Sequence, residues 1–339
     1  MPETAFKLCL AIDGGTTNTR ARLFRDGHFL SVAARPVGVR NVAIGGTTES
    51  LRQAVAECVA EAASRASVHV REVDLLCASG MLTSNVGLRE VPHVPAPAGL
   101  DDLARHVAAV PFPEIAPQPI HMIPGVKTVP GPATLDDLAH LDILRGEESE
   151  TIGILETTKR SGPLCVLLPG SHTKLLHIDE RSRITASYTT IGGELMQALA
   201  ERTILASSID WPPTGSPVWP AVEAGATFAR KWGLARGGFA VRLADVIVGI
   251  ERPARTWFFV GLVIGNDWTE LQRWNVASSK HALLVGGREP LRSVYGRLAK
   301  SRWTGNVEIL RDAVVDLAAA RGAIAIARRC NELFAAGCD

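Results

Sequence analysis

One motif occurs twice in this chain and constrains its fold more than any other feature. Near the start, the apolar run KLCLAID (Lys7 to Asp13) breaks at Gly14-Gly15-Thr16-Thr17-Asn18 and returns as the alternating segment TRARLF. Near mid-chain, LCVLL (Leu164 to Leu168) breaks at Pro169-Gly170-Ser171-His172 and returns at Leu175 to Ile178. Laying Cys165 over Cys9 places VLLPGSHTK on LAIDGGTTN, an offset close to half the chain. Each copy reads as a buried strand, a small-residue turn and a returning strand. Hairpins of this type are common, so the match alone does not establish duplication. The length of 339 residues, at roughly 150 per domain, independently allows two domains.

The remaining pattern alternates strand and helix. His28 to Ala34 reads as a third strand, Thr48 to Ala66 has helical spacing, and Val73 to Ala78 is a buried strand. Prolines punctuate Val91 to Pro132, which predicts an extended, irregular connection with one short strand near His121 to Ile123. A helix is expected from Glu147, and a strand at Ile184 to Thr189. Further helices are expected at Glu194 to Leu205, Pro217 to Trp232, Phe239 to Gly249, Arg255 to Trp274 and Ala313 to Arg329, with strands at Ala282 to Val285 and Asn306 to Leu310.

Composition excludes several classes. Hydrophobic residues make up 46% of the chain, enough to bury real cores, so intrinsic disorder is excluded. Lys and Arg number 36 against 35 Asp and Glu, a formal net charge of +1, which gives no polybasic field for a nucleic-acid backbone. The apolar stretch Thr256 to Gly265 is far shorter than the roughly 18 to 20 residues of a membrane-spanning helix, and no secretory leader pattern opens the chain. A cytoplasmic protein without membrane or nucleic-acid partners is therefore expected. The six cysteines are scattered, with Cys9, Cys77 and Cys165 in apolar runs, and read as buried thiols.

Three glycine turns carry the chemistry. Asp13 ends a buried strand before Gly14, Gly15, Thr16, Thr17 and Asn18, whose amides and hydroxyls could cradle a phosphate; the same residues suit a tight hairpin capped by its own Asp. Gly170, Ser171, His172 and Lys174 offer that geometry with two cationic side chains, but without the spacing of a Walker loop. Gly286-Gly287, after a strand, could lay bare backbone against an adenine ring or simply start a helix.

Together these turns resemble the parts of the two-lobed actin-like ATPase and sugar-kinase architecture. Within it the chain resembles the 2-dehydro-3-deoxygalactonokinase family closely. The matching segments are IDGGTTNTR (Ile12 to Arg20), SGMLTSNVG (Ser79 to Gly87), VPHVPAPA (Val91 to Ala98), IPGV (Ile123 to Val126), LRGEES (Leu144 to Ser149), LPGSHTK (Leu168 to Lys174) and GGEL (Gly192 to Leu195). They occur in the family's order. The family usually has Trp after the first Asp, Gly at the position of Thr83, Trp at that of Leu88 and Thr at that of Gly192. These departures leave the phosphate turns intact and open the possibility of a reshaped sugar-acid pocket.

The resemblance implies an α/β fold of two actin-like (ribonuclease H-like) lobes, each a mixed sheet flanked by helices, with a cleft between them. The N-terminal lobe would span residues 1–160 and the C-terminal lobe 161–339. It implies ATP-dependent phosphorylation of 2-dehydro-3-deoxy-D-galactonate at its terminal hydroxyl, a step of galactonate catabolism, with nucleotide held between the lobes. Asp13 is the expected Mg²⁺ holder, through coordinated water. Glu147 is the first candidate for general base and Glu148 the second, with His172 as a rival, although acidic residues in a first helical turn also serve as ordinary caps. Arg20 and Arg145 are candidates for the substrate carboxylate, and Ser84 and Asn85 for its hydroxyls. Ligand contact by Glu194 and a homodimer stay open. The rivals are a kinase for another ketodeoxy sugar acid, a sensor that keeps the site without catalysis, and a phosphatase or nucleotide hydrolase of the same architecture.

Overall fold

The computed structural model describes residues 6–129, 131–274 and 280–336. The chain divides into two compact units. The first comprises Met1–Gly162, Asp179–Ala186 and Ala313–Asp339, and the second Pro163–Ile178 and Ser187–Asp312. A single cut at residue 160 would give residues 179–186 and the last helix to the second unit; both belong to the first.

In the first unit, β1 (Leu8–Gly14), β2 (Thr19–Arg25) and β3 (His28–Arg35) form an antiparallel meander. Cys9 to Ile12 of β1 are buried throughout, as a central strand covered on both faces requires. A short helix α1 (Val39–Gly45) and the long α2 (Glu49–Arg65) follow, and Leu51, Val55, Cys58, Val59 and Ala62 of α2 lie in the core. Next, β4 (Leu75–Gly80) pairs parallel to β1.

The proline-rich region is more structured than the prolines suggested. It holds β5 (Val94–Pro95), α3 (Leu100–Ala104), β6 (Ala108–Val110), β7 (Ile120–Met122) and β8 (Val126–Thr128). After it come β9 (Asp142–Leu144) and α4 (Glu147–Thr158). The main sheet has the order β3-β2-β1-β4-β7-β6, and β5-β8-β9 make a separate small sheet. Strands of two or three residues leave no legible alternation, which is why this sheet was not expected.

In the second unit, β10 (Leu164–Leu168) and β11 (Thr173–Ile178) form the repeated hairpin, followed by β12 (Ile184–Thr190). Three helices come next, α5 (Gly192–Arg202), α6 (Trp219–Val246) and α7 (Arg252–Trp274). The expected pair of helices at 217–232 and 239–249 is present as two helical segments of α6 that meet at a kink at Gly233, whose φ of 74° is left-handed. Then β13 (Ala282–Val285) runs parallel to β10, and α8 (Leu291–Arg302) and β14 (Val307–Ile309) complete the order β12-β11-β10-β13-β14. Trp257 and Trp268 are core residues here, while Trp274 stacks at 5.4 Å on Tyr188. The last helix, α9 (Asp312–Ala336), lies within the first unit from Ala313 onward.

Among the described residues no helix is long and apolar enough to cross a membrane. Cys9, Cys58, Cys77, Cys165 and Cys330 are free and buried.

Candidate active site

In both sheets the glycine turns leave the carboxyl ends of parallel strands, where α/β proteins place their ligands. In the first unit, β1 ends on Asp13 and Gly14, in register with Ser79 and Gly80 at the end of β4. Gly15 N–H closes the turn by donating to Asn18 carbonyl at 2.8 Å, while Thr16 and Thr17 stay exposed. The Asp13 carboxylate is about a quarter exposed, at 28%, and lies 3.9 Å from the guanidinium of Arg20, its cross-strand partner.

Gly80 links this carboxylate to the start of α4. Its φ is +72°, and a side chain there would meet the Gly14 carbonyl at 2.6 Å and the Asp13 carboxylate at 3.3 Å. Gly146, with φ of +120°, brings the turn before α4 to the other side of Gly80, at 3.3 Å from a would-be Cβ. Two glycines without Cβ atoms therefore let Asp13 and the turn that precedes α4 both pack against Gly80.

The two glutamates differ in environment. Glu147 accepts from Arg145 N–H at 2.9 Å and is half-buried. Glu148 is 1% exposed, and both its oxygens accept from Gly146 N–H, at 3.0 and 2.8 Å. Burial, reinforced by the neighbouring Glu147 charge, pushes its carboxyl up to about 7. That value suits a group that takes and returns a proton at neutral pH.

Of the four expected substrate residues, two are occupied internally. Arg145 donates through one terminal nitrogen to the carbonyl and hydroxyl of Thr83, and through the other to the Val91 carbonyl at 3.0 Å and the His93 ring at 3.1 Å. Burial, then the Arg145 and Lys127 charges, hold His93 down to about 4, so it is neutral and able to accept. Ser84 is buried and donates to Met81 carbonyl at 2.7 Å. Asn85 is exposed, and Arg20 stands beside Asp13. Thr83 and Leu88, two of the departures from the family pattern, are both buried.

In the second unit the hairpin turn is held from two sides. Gly193 at the start of α5 lies so close that a Cβ would fall 2.1 Å from Gly170 carbonyl, and Glu194 N–H donates to Ser171 carbonyl at 3.0 Å. Gly287, with φ of +74°, lies against Pro169, and Gly286 N–H donates to Leu167 carbonyl at 2.8 Å. Gly170 and Ser171 thus meet the N-terminus of an 11-residue helix, whose dipole favours an anion, while Gly286 and Gly287 pack against Leu167 and Pro169 just before the turn. His172 is at the rim, 3.4 Å from Glu194. Lys174 is buried, and its ammonium donates to Thr189 at 2.9 Å. Sequence reasoning missed Asp267, a buried carboxyl on α7 to which Tyr295 of α8 donates. An acid inside an otherwise apolar helical run was the available signal.

No group of three His, Cys, Asp or Glu side chains able to hold a metal occurs among the described residues. A single partly exposed carboxylate such as Asp13 fits a hydrated Mg²⁺ that shares its shell with water and phosphate oxygens, because Mg²⁺ needs few protein ligands.

A family model described as 2-keto-3-deoxy-galactonokinase matches residues 13–324. The 2-dehydro-3-deoxygalactonokinase of Escherichia coli (strain K12) is 25% identical over 291 residues, 82% of this chain and 85% of its own. A Sinorhizobium meliloti structure, of a candidate 2-dehydro-3-deoxygalactonokinase, superposes with a TM-score of 0.74 at 22% identity, over 94% of this chain and 95% of the other. A Clostridium difficile activator of 2-hydroxyisocaproyl-CoA dehydratase, with bound ADPNP, gives a TM-score of 0.54 at 10% identity, over 96% and 97% of the two chains. The two structural likenesses establish the fold, that of the actin-like ATPases and sugar kinases.

Proposed function

The chain belongs to the 2-keto-3-deoxy-galactonokinase family and is a carbohydrate kinase, and from that premise we propose that it moves the γ-phosphoryl of ATP to the terminal hydroxyl of 2-dehydro-3-deoxy-D-galactonate. The observation that supports the mechanism is the packing of Asp13 and of Gly146 against Gly80, with the raised carboxyl of Glu148 in the first turn of α4. Phosphoryl transfer requires little covalent work from the protein; it requires positioning, neutralised phosphate oxygens and an acceptor for the hydroxyl proton.

Glu148 is our choice of base, ahead of Glu147, which reverses the order expected from sequence. A carboxyl held at about 7 can accept the proton of the attacking hydroxyl and release it afterwards. Glu147 anchors the turn through Arg145 N–H. Arg145 acts one step back: by fixing Thr83, Val91 and His93 it sets the loop that presents Asn85. Asn85 and Arg20 are the proposed contacts for the sugar acid. The turn at Gly14, Gly15, Thr16, Thr17 and Asn18 and the turn at Gly170, Ser171 and His172 are the proposed phosphate holders, and Gly286-Gly287 the surface for adenine. Mg²⁺, held by Asp13 through water, would supply the charge that offsets the phosphate oxygens.

The test is coupled ADP release, with and without 2-dehydro-3-deoxy-D-galactonate and across a panel of ketodeoxy hexonates and pentonates. The sugar acid should raise ATP turnover far above the basal rate, and Glu148→Gln should abolish that rise while Glu147→Gln retains most of it. Equal turnover with and without any sugar acid would refute the kinase reading. The reverse mutant pattern would return the role to Glu147.

A further inference from the structure

Asp267 is the only buried carboxyl group of the second unit among the described residues. It is 4% exposed, on a face of α7 otherwise made of apolar side chains. A lone carboxyl in such surroundings costs free energy unless its oxygens are satisfied, so its partners show what it is for. Tyr295, on α8, gives its hydroxyl proton to Asp267 Oδ2. The Tyr295 oxygen lies 3.1 Å from Thr173 Oγ1, whose hydroxyl also hydrogen-bonds the Asp267 carboxyl, so Thr173, Tyr295 and Asp267 form one relay of hydrogen bonds. Thr173 is fully buried and is the first residue of β11, the residue on which the 169–172 turn closes.

The same carboxylate reaches the other wall of the turn. A Cβ on Gly192, which opens α5, would lie 2.8 Å from Asp267 Oδ2. The next residue, Gly193, is the one pressed against Gly170 carbonyl. Three elements around the hairpin, namely the head of β11, the start of α5 and the start of α8, are thus referred to one side chain. Burial raises the Asp267 carboxyl above the usual carboxylate range against the opposing pull of its hydroxyl neighbours Thr190, Tyr295 and Thr173. Core packing could have been achieved there by an apolar residue at no such cost.

We propose that Asp267 is a positioning residue for nucleotide phosphate, acting through Tyr295 and Thr173 on the 169–172 turn and through Gly192 on the start of α5. The inference rests on the kinase reading, and its test separates the two. Tyr295→Phe removes one hydroxyl from the middle of the relay with little change in volume. Thr173→Val removes its first donor, and Thr173→Ser restores it. For each, KM for ATP, KM for the sugar acid, kcat and the affinity for ADP by calorimetry are measured, with the active fraction determined by titration.

Tyr295→Phe and Thr173→Val should each weaken ADP binding and raise KM for ATP about tenfold, with the sugar-acid KM within about twofold of wild type, and Thr173→Ser should recover most of the loss. Asp267→Asn should match Tyr295→Phe and add little on top of it, as members of one network do. If both hydroxyl-deleting variants bind ADP and ATP like wild type and differ only in thermal midpoint, the network merely packs the unit and the proposal is overturned. Wild type that shows no ATP turnover with any sugar acid, yet binds ADP through this network, would defeat the kinase reading alone.

Discussion

Replacing Glu148 by Gln should cost activity and gain stability, and the gain can be worked from the structure. In an unfolded chain this carboxyl titrates near 4.5; in the folded protein burial pushes it to about 7. The gap corresponds to about 3 kcal/mol between its charged and neutral forms. Because the folded value is the higher one, the group's contribution to stability is complete below about 4.5 and is lost as pH rises through about 7. Gln never ionises and can still accept from Gly146 N–H. At pH 8 the variant should therefore be more stable than wild type by up to about 3 kcal/mol, whereas at pH 4.5 the two should converge. Turnover should fall on the order of 10²- to 10⁴-fold. Tryptophan fluorescence is a poor probe, because all seven tryptophans lie in the second unit. Hydrogen exchange of peptides covering α4, with denaturant titrations followed by circular dichroism at pH 5 and pH 8, reads the correct unit. A stability difference that does not change between those pH values would refute the argument. So would a variant that is less stable at both.

Three further outcomes follow from the same geometry. A Cβ on Gly322 of α9 would lie 1.8 Å from Ser149 carbonyl, so Gly322→Ala must push the first turn of α4 by roughly 1.5 Å and should lower kcat about 10²-fold, with ADP affinity unchanged; near-normal kcat would contradict it. Asp13→Asn should reduce kcat/KM at least about 10²-fold and shift the remaining activity to higher Mg²⁺ concentration, which a titration with MgCl₂ at fixed ATP will show. Burial pushes Cys58 to about 11 and Cys165 to about 12, so iodoacetamide at pH 8 should leave both unlabelled in the native protein and label both in urea, as read by mass spectrometry.

The large elements were legible because they carry period and length. The hairpins at Leu8–Gly14 and Leu164–Leu168, the helix from Glu147 and the strand Ala282–Val285 fall within a residue or two of where alternation and glycine placed them. The two helical segments of α6 were legible as a pair, while the left-handed glycine at 233 joins them with a shorter connection than the spacing suggested. In the site, residue types were readable and their directions were not. Arg145 and Ser84 carry groups suited to a sugar acid, yet their partners Thr83, Val91, His93 and Met81 come from loop geometry that spacing does not reveal. The contrast between Glu147 and Glu148 depends on which of two adjacent side chains is buried, and sequence cannot separate neighbours on a first helical turn. Asp267 was invisible for the opposite reason: its significance lies entirely in two hydroxyls from elements far along the chain.

The first unit is closed only by residues from beyond the second. The polypeptide departs at Gly162, returns briefly at Asp179–Ala186, builds the rest of the second unit, and rejoins the first at Ala313 with the helix whose Gly322 packs on Ser149. The proposed base therefore takes its position from a segment far downstream of it. A chain cut before α9 would carry every residue of the proposed chemistry and still lack the surface that aligns them.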